Sequence, residues 1–100
     1  MKALYKVEWT GKVQYKKEVG VKGLVPMCEI LLRDTERQCA NSYLGTLLRE
    51  DALQSYQKGD IIRAQFIYYV EKKGGKYHQR VLAQNIDNLS INIFENDEIY

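Results

Sequence analysis

Apolar and polar residues alternate along the first part of the chain, between Tyr5 and Val19. A period of two residues is typical of a β-strand with one buried face, so the pattern predicts one long strand. Gly11 interrupts the apolar side, and a glycine inside a strand often marks a bulge or a bend, so this strand is expected to serve two sheets. The residues predicted to face the core are Tyr5, Val7, Trp9, Val13 and Tyr15. Trp9 is therefore not included among the predicted binding residues.

The next part of the chain predicts a loop, a hairpin and a helix. Residues 20–26 contain two glycines and the only proline, which indicates a loop. The run Met27–Arg33 alternates again, and the polar residues 34–37 supply a turn into a third strand. The helix is expected to begin with Thr46 as its N-cap and to end near Gly59. Its apolar stripe is formed by Leu48, Ala52, Leu53 and Tyr56.

Alternation resumes after Asp60 and predicts a second hairpin, made of two long strands. Gly74 and Gly75 form its turn, because glycine tolerates the positive φ that tight hairpin turns require. The returning strand is expected from Tyr77 to about Ile86. The final residues, 91–100, are predicted to add at most a short edge strand before an acidic tail.

The predicted order is therefore three strands, one short helix and two strands. This is the order of the five-stranded Greek-key barrel called the OB-fold, in which a helix lies between strands 3 and 4. We expect an all-β fold of this kind, with residues 1–90 as the OB-fold domain and residues 91–100 as the acidic C-terminal tail. A plain five-stranded β-sandwich is the alternative. The bent first strand and the helix position favour the barrel, since closure removes exposed sheet edges.

Size and chemistry narrow the function. A chain of 100 residues forms one domain, and neither a membrane-spanning run nor a signal peptide is recognisable, so a soluble cytoplasmic protein is expected. Cys28, Cys39 and His78 are too few ligands for a structural zinc site, and the cysteines are interpreted as core residues. No Ser-His-Asp or Cys-His spacing is recognisable. We therefore expect no catalysis, cofactor, metal or small-molecule substrate.

Charge is segregated along the chain although its net value is only +2. Residues 1–26 and 58–80 each carry +4, residues 27–57 carry −2, and residues 81–100 carry −4. Two basic segments that converge in the fold would favour a polyanionic partner. A solvated surface with chance clustering is the alternative interpretation.

Two segments resemble a known family. Residues 58–66, KGDIIRAQF, followed by residues 72–81, KKGGKYHQRV, are similar to the C-terminal half of bacterial single-stranded DNA-binding proteins and their small uncharacterised relatives. A shorter protein of the same fold, such as a primosomal replication protein or a member of an orphan family, is the alternative. Residues 11–13 fit the bent first strand of that family more loosely. The region around the second and third strands is shorter here, with Tyr43 as its only aromatic residue, and no long linker precedes the acidic tail. The resemblance implies a barrel fold and single-stranded DNA binding in replication.

Proteins bind single strands with a positive groove and aromatic platforms for the bases, and both ingredients occur in this sequence. The predicted partner is single-stranded DNA or RNA, held without a base-specific code. The lysines of the glycine hairpin could instead only keep that turn soluble. The predicted binding residues are Lys16, Lys17, Lys22, Arg33, Arg37, Tyr43, Arg63, Tyr69, Lys72, Lys73, Lys76, Tyr77 and Arg80.

Ile67 and Leu82 are expected on outward faces of their strands, where exposed apolar residues more often mark a dimer seam than a ligand site. A homodimer is therefore predicted. The alternative function follows from the same pair and the acidic tail, namely a protein-interaction or assembly module on the same barrel without nucleic-acid affinity.

Overall fold

A computed structural model describes residues 3–18, 20–35 and 41–90, and these residues form a mainly β structure with one short helix. The predictions for Arg37, Cys39 and residues 91–100 fall outside the described residues. Within these ranges, no helix is long and apolar enough to cross a membrane. The elements are β1 (Ala3–Thr10), β2 (Gln14–Lys17), β3 (Leu24–Asp34), β4 (Ser42–Leu48), α1 (Glu50–Leu53), β5 (Ile61–Lys73) and β6 (Lys76–Asn88).

All six strands belong to one sheet, in the order β1-β5-β6-β4-β3-β2, and β1 pairs with β3 as well as with β5. The pairings are antiparallel except for a short parallel contact between β4 and β6, where Thr46 faces Leu82. The prediction of a mainly β fold with one short helix between the third long strand and the next is confirmed.

The hydrophobic core lies on the inner face of this sheet. On β3, Cys28, Ile30 and Leu32 are buried, as their alternation predicts. The thiol of Cys28 lies 3.8 Å from the carbonyl oxygen of Ala52, to which it donates, so the cysteine joins α1 to the core. The largest fully buried side chains are Ile30, Leu32, Leu47, Ile62 and Val7.

The predicted single first strand is two strands, β1 and β2. The pairing of β1 with β3 shifts register between Val7 and Trp9, which reverses the faces of Trp9 and Thr10 at the end of β1. The amide of Gly11 then donates to the carbonyl of Glu29 (2.8 Å) where the chain leaves β1. The assignment of Trp9, Val13 and Tyr15 to the core is wrong, since they are 50%, 41% and 59% exposed.

The predicted helix begins too early. Thr46 is not an N-cap but a residue of β4, where it pairs with Glu29 of β3, and α1 covers only Glu50–Leu53. Residues around Thr46 adopt the strand conformation because it buries Leu47 completely, and local helix signals do not reveal this burial. Arg49 then turns the chain at a φ of 57°.

Candidate functional site

The distal part of the β5–β6 hairpin, residues 68–80, extends away from the rest of the described residues, which we call the body. Every residue of this arm is exposed. Six successive cross-strand pairs continue from Tyr68 and Val81 to Lys73 and Lys76, a length of roughly 20 Å at the rise of a β-strand. The turn at its tip has φ values of 60° at Gly74 and 77° at Gly75, which confirms the predicted glycine turn.

The arm has two chemically different faces, because cross-strand partners in a hairpin lie on the same side. One face continues from Phe66 and Ala83, which belong to the core or pack against it, and we call it the inner face. The other is the outer face. The inner face carries Tyr68, Val70, Lys72, Tyr77 and Gln79, and the outer face carries Tyr69, Glu71, Lys73, Lys76, His78 and Arg80.

A basic depression of about 200 Å³ lies between β2 and the outer face of the arm. Lys16 and Lys17 of β2 line one side of it. Tyr69, Lys73 and Arg80 line the other side, with Glu71 beside them. The remaining lining residues are Glu18, Val25, Met27, Thr46, Leu48, Val81 and Leu82.

The acidic residues of the depression are each held by an arginine. Glu71 accepts from Nε of Arg80 at 3.1 Å, and Glu18 accepts from Nη2 of Arg49 at 3.1 Å. Within the described parts of the chain, Lys16, Lys17 and Lys73 have no ion-pair partner. Three cations therefore remain available to an anionic ligand. The Arg80–Glu71 pair is about half exposed on both sides, so it is weak enough to exchange for a phosphate.

Tyr69 supplies an aromatic surface beside these cations. Its side chain is 41% exposed, and its cross-strand partner is Arg80. The neighbouring floor is formed by Met27 and Leu48, which are cross-strand partners on β3 and β4. A flat ring, an apolar floor and a cationic rim together can hold a base and the phosphates next to it.

Perturbed pKa values occur in the body, around α1. Burial raises the pKa of the Cys28 thiol. Burial, together with the neighbouring Glu50, raises the pKa of Asp51. Burial first, and then the nearby Asp51 and Cys28, raise the pKa of Tyr56 to about 12. In the described ranges, no cluster of three or more His, Cys, Asp or Glu side chains could hold a metal ion.

The depression includes five of the predicted binding residues, and others lie close to it. Lys76 pairs with Lys73 on the outer face at the arm tip. Lys22 lines a second hollow, together with Lys17, in the loop after β2. The predicted residues that the depression brings together are Lys16, Lys17, Tyr69, Lys73 and Arg80.

Other predicted binding residues lie elsewhere. Arg33 and Arg63 sit beside Lys6 and Leu4 of β1, each six residues along its strand from the depression, or roughly 20 Å. Tyr43 packs in the body against Tyr5 and Phe66, with ring centroids 6.2 and 5.9 Å apart.

Lys72 and Tyr77 belong to the inner face, on the other side of the arm from the depression. The Nζ atom of Lys72 lies 5.7 Å from the centre of the Tyr77 ring. Strand alternation separates these residues from Lys73 and Lys76, although all four lie within one short stretch of the chain.

Sequence reasoning missed the floor of the depression. Met27, Thr46 and Leu48 come from two strands that the sequence alone does not bring next to β6. Their only local signal is the alternation on β3, which places Met27 on the other face of that strand from the buried Cys28. The local pattern places Thr46 and Leu48 in the predicted helix, so it does not indicate that they belong to a strand.

The predicted dimer residues, Ile67 and Leu82, are cross-strand partners at the base of the arm. Both are partly buried, and Leu82 also lines the depression. The structure contains a single chain, so dimerisation through this pair stays a prediction.

No known protein family matches this chain, and no curated protein or solved structure is significantly similar to it. The resemblance to single-stranded DNA-binding proteins therefore stays a prediction. The function has to be inferred from the geometry of the basic depression.

Proposed function

We propose that the chain is an OB-fold barrel that binds single-stranded nucleic acid, most readily DNA, without catalysing a reaction. The observation that carries this proposal is the convergence of Lys16, Lys17, Tyr69, Lys73 and Arg80 on one depression. Residues from two segments that are far apart in sequence, and that each carry an excess of positive charge, thereby form one surface.

The order of pairings supports the barrel. Leaving out the short β2, the hydrogen-bonded neighbours run from β1 through β5, β6, β4 and β3, and β3 pairs with β1 again. A cycle of five strands with a parallel contact between the third and fifth is the arrangement expected of a Greek-key OB barrel. With β2 left out, strands 1 to 5 of such a barrel are β1, β3, β4, β5 and β6. In OB barrels oligonucleotides bind over strands 2 and 3, here β3 and β4, between the loop after strand 1 and the hairpin of strands 4 and 5. The basic depression occupies the corresponding position.

The dimensions and charge of the depression favour a polymer over a small molecule. Its volume of about 200 Å³ is below the roughly 300–1,000 Å³ of typical small-molecule sites. Its cations stand on opposite sides, on β2 and on the arm, so an extended strand that passes between them would contact both. Duplex DNA hides its base faces in the stack, so stacking on Tyr69 predicts a preference for single strands.

The proposal is tested by fluorescence anisotropy of a labelled oligo(dT), titrated with the protein at 50 and 200 mM NaCl. Phosphate contacts from Lys16, Lys17, Lys73 and Arg80, four in all, predict a slope of log affinity against log salt of about −3. This slope corresponds to roughly a 50-fold loss of affinity over this salt range. A duplex of the same length should bind more weakly than the single strand. Lack of micromolar binding at 50 mM NaCl, or equal binding of the duplex, would contradict the proposal.

Variants locate the binding surface. Tyr69→Ala should weaken binding by about 5- to 150-fold, the equivalent of one stacked base. Lys73→Ala should reduce the salt slope by about 0.7. The matched controls are Tyr15→Ala, an exposed tyrosine that does not line the depression, and Arg63→Ala, an exposed arginine at the other end of β5. Both controls should bind like the original protein.

The same titration decides against the alternative function. A protein-interaction module without nucleic-acid affinity predicts no anisotropy change at either salt concentration. Binding by the original protein would contradict that alternative, because a module without nucleic-acid affinity would not bind at all. Loss of binding in Tyr69→Ala but not in Tyr15→Ala would further exclude a non-specific cationic surface, which would not distinguish the two tyrosines.

A further inference from the structure

We propose that the inner face of the arm is a self-association surface, on which the arm of a second copy of this chain docks with its own inner face. The proposal concerns the side of the arm that faces away from the basic depression, and it does not depend on nucleic-acid binding. The interface would be two-fold symmetric, with Val70 near the axis because it lies midway between Tyr68 and Lys72 along β5.

The exposure of the inner face is the first observation. Tyr68 is 59% exposed, Val70 64% and Tyr77 73%. These three side chains share one face of a hairpin whose cross-strand pairs join Tyr68 to Val81, Val70 to Gln79 and Lys72 to Tyr77. Contiguous exposed apolar residues of this kind mark interaction surfaces, and tyrosine is enriched in interface cores.

The segregation of charge favours a second copy as the occupant, docked through its own inner face. Lys72 is the only charged residue on the inner face, whereas the outer face carries Glu71, Lys73, Lys76 and Arg80. Two outer faces would repel each other, since both have a positive excess. Two inner faces would meet with tyrosine and valine at the centre and Lys72 near the tip, where its stem covers Tyr77 and its ammonium stays in water.

The area available also fits a weak dimer. The exposed parts of Tyr68, Val70 and Tyr77 amount to roughly 350 Å² per copy, given the size of these side chains. Two copies would bury about twice that area through these three side chains, which is below the roughly 1,200 Å² of stable specific interfaces and corresponds to a weak, reversible dimer.

Self-association would also supply what a lone hairpin lacks. An isolated two-stranded hairpin is at best marginally stable in water, and within the described residues the arm strands pair only with each other. Docking two inner faces would give each arm a second layer over its apolar side.

Sedimentation equilibrium from 1 to 200 µM, at 0.1 and 1 M NaCl, tests this proposal. We expect a monomer–dimer equilibrium that persists at 1 M NaCl, because apolar contacts are not screened by salt. Tyr68→Glu should weaken association at least 10-fold, because it removes an aromatic ring from the apolar contact and leaves a carboxylate to be desolvated there. Tyr77→Glu should do the same from the other strand. Both variants should keep the circular dichroism spectrum and melting midpoint of the original protein.

Tyr69→Glu is the matched control, since Tyr69 is the next residue of β5 but lies on the outer face. This variant should dimerise normally and lose affinity for oligo(dT), so failure of one proposal is distinguishable from failure of the other. A monomer at 200 µM would overturn the self-association proposal. A dimer that is unchanged in both Tyr68→Glu and Tyr77→Glu would overturn it equally.

Discussion

The body and the arm are built from the same alternating pattern, but their apolar residues have opposite environments. Strand β5 passes through both regions: Ile62 and Ala64 are 0% and 1% exposed, whereas Tyr68 and Val70, on the same side of the strand, are 59% and 64% exposed. In the body, other strands and α1 cover this face. In the arm, nothing among the described residues covers it, so alternation predicts a strand but not whether its apolar side is buried.

This difference divides the molecule by role. The body holds its shape through a buried core, and the apolar residues of that core are not available to a partner. The arm strands pair with each other but every residue of the arm is exposed, so its apolar and charged faces are both accessible. Regions with few buried contacts open most readily, and they are also where ligands and partners bind. The two proposals above assign one such role to each face of the arm.

The largest expected effect comes from the same substitution made in each region. Val7→Ala in the body should lower the free energy of unfolding by about 2–3 kcal/mol, because two methyl groups of a fully buried side chain are lost and a cavity remains. Val70→Ala in the arm should change it by less than about 0.5 kcal/mol. Urea denaturation of dilute monomer measures both. Equal losses would contradict the division into body and arm.

Alkaline pH should destabilise the body through Tyr56. Its pKa is raised to about 12, so between pH 10 and 12 the tyrosine of the unfolded chain ionises while that of the folded chain stays protonated. The unfolded state then binds fewer protons, and stability falls as pH rises through this window, by about 2 kcal/mol. The stabilisation is fully present below pH 10. Urea midpoints measured at steps from pH 9 to pH 12 test this.

Tyr56→Phe is the control for the pH effect. The substitution removes the ionisable hydroxyl, so most of the fall in stability should disappear. The part that remains should come from Cys28, whose pKa is also raised by burial and which therefore acts in the same direction. An unchanged pH dependence in Tyr56→Phe would show that the alkaline transition has another origin.

A smaller effect is expected at Gly45, where β4 passes under an aromatic ring. A Cβ atom there would lie 2.9 Å from Cε1 of Phe66 and 3.3 Å from Cβ of Ala83. Phe66 cannot retreat easily, because Tyr5 packs against it with ring centroids 5.2 Å apart. Gly45→Ala should therefore cost about 1–2 kcal/mol of stability, measured by urea denaturation.

Gly11→Ala provides the comparison for Gly45→Ala. A Cβ atom at Gly11 would be tight against the end of the Trp9 ring at 3.1 Å and in ordinary contact with the Glu29 nitrogen at 3.6 Å, and the Trp9 side chain is half exposed. The loss of stability should be smaller than at Gly45. A larger loss at Gly11 would mean that the bend between β1 and β2 is as rigid as the core.

The candidate site was predictable where its residues lie in one strand and one face. Alternation correctly separates Tyr69 and Lys73 from Tyr68 and Lys72, which indicates that only some of the hairpin residues can share a surface. The predicted binding residues nevertheless include Lys72, Tyr77, Arg33 and Arg63. Neither the charge of a residue nor its position in the sequence reveals the side or the end of the sheet on which it lies. The floor of the depression depends on the contact of β4 with β6, which joins residues 36 positions apart.

The sequence by itself determined that this protein is mainly β, where the long hairpin turns, and that Cys28, Ile30 and Leu32 share a buried face. These features depend on local chemistry, namely the period of two and the φ freedom of Gly74 and Gly75. Only the tertiary structure decided that β1 ends at Thr10, that Thr46 belongs to a strand, and that the arm is uncovered. Each of these depends on register and on which strands become neighbours, and a shift of one residue reverses the faces without changing the pattern.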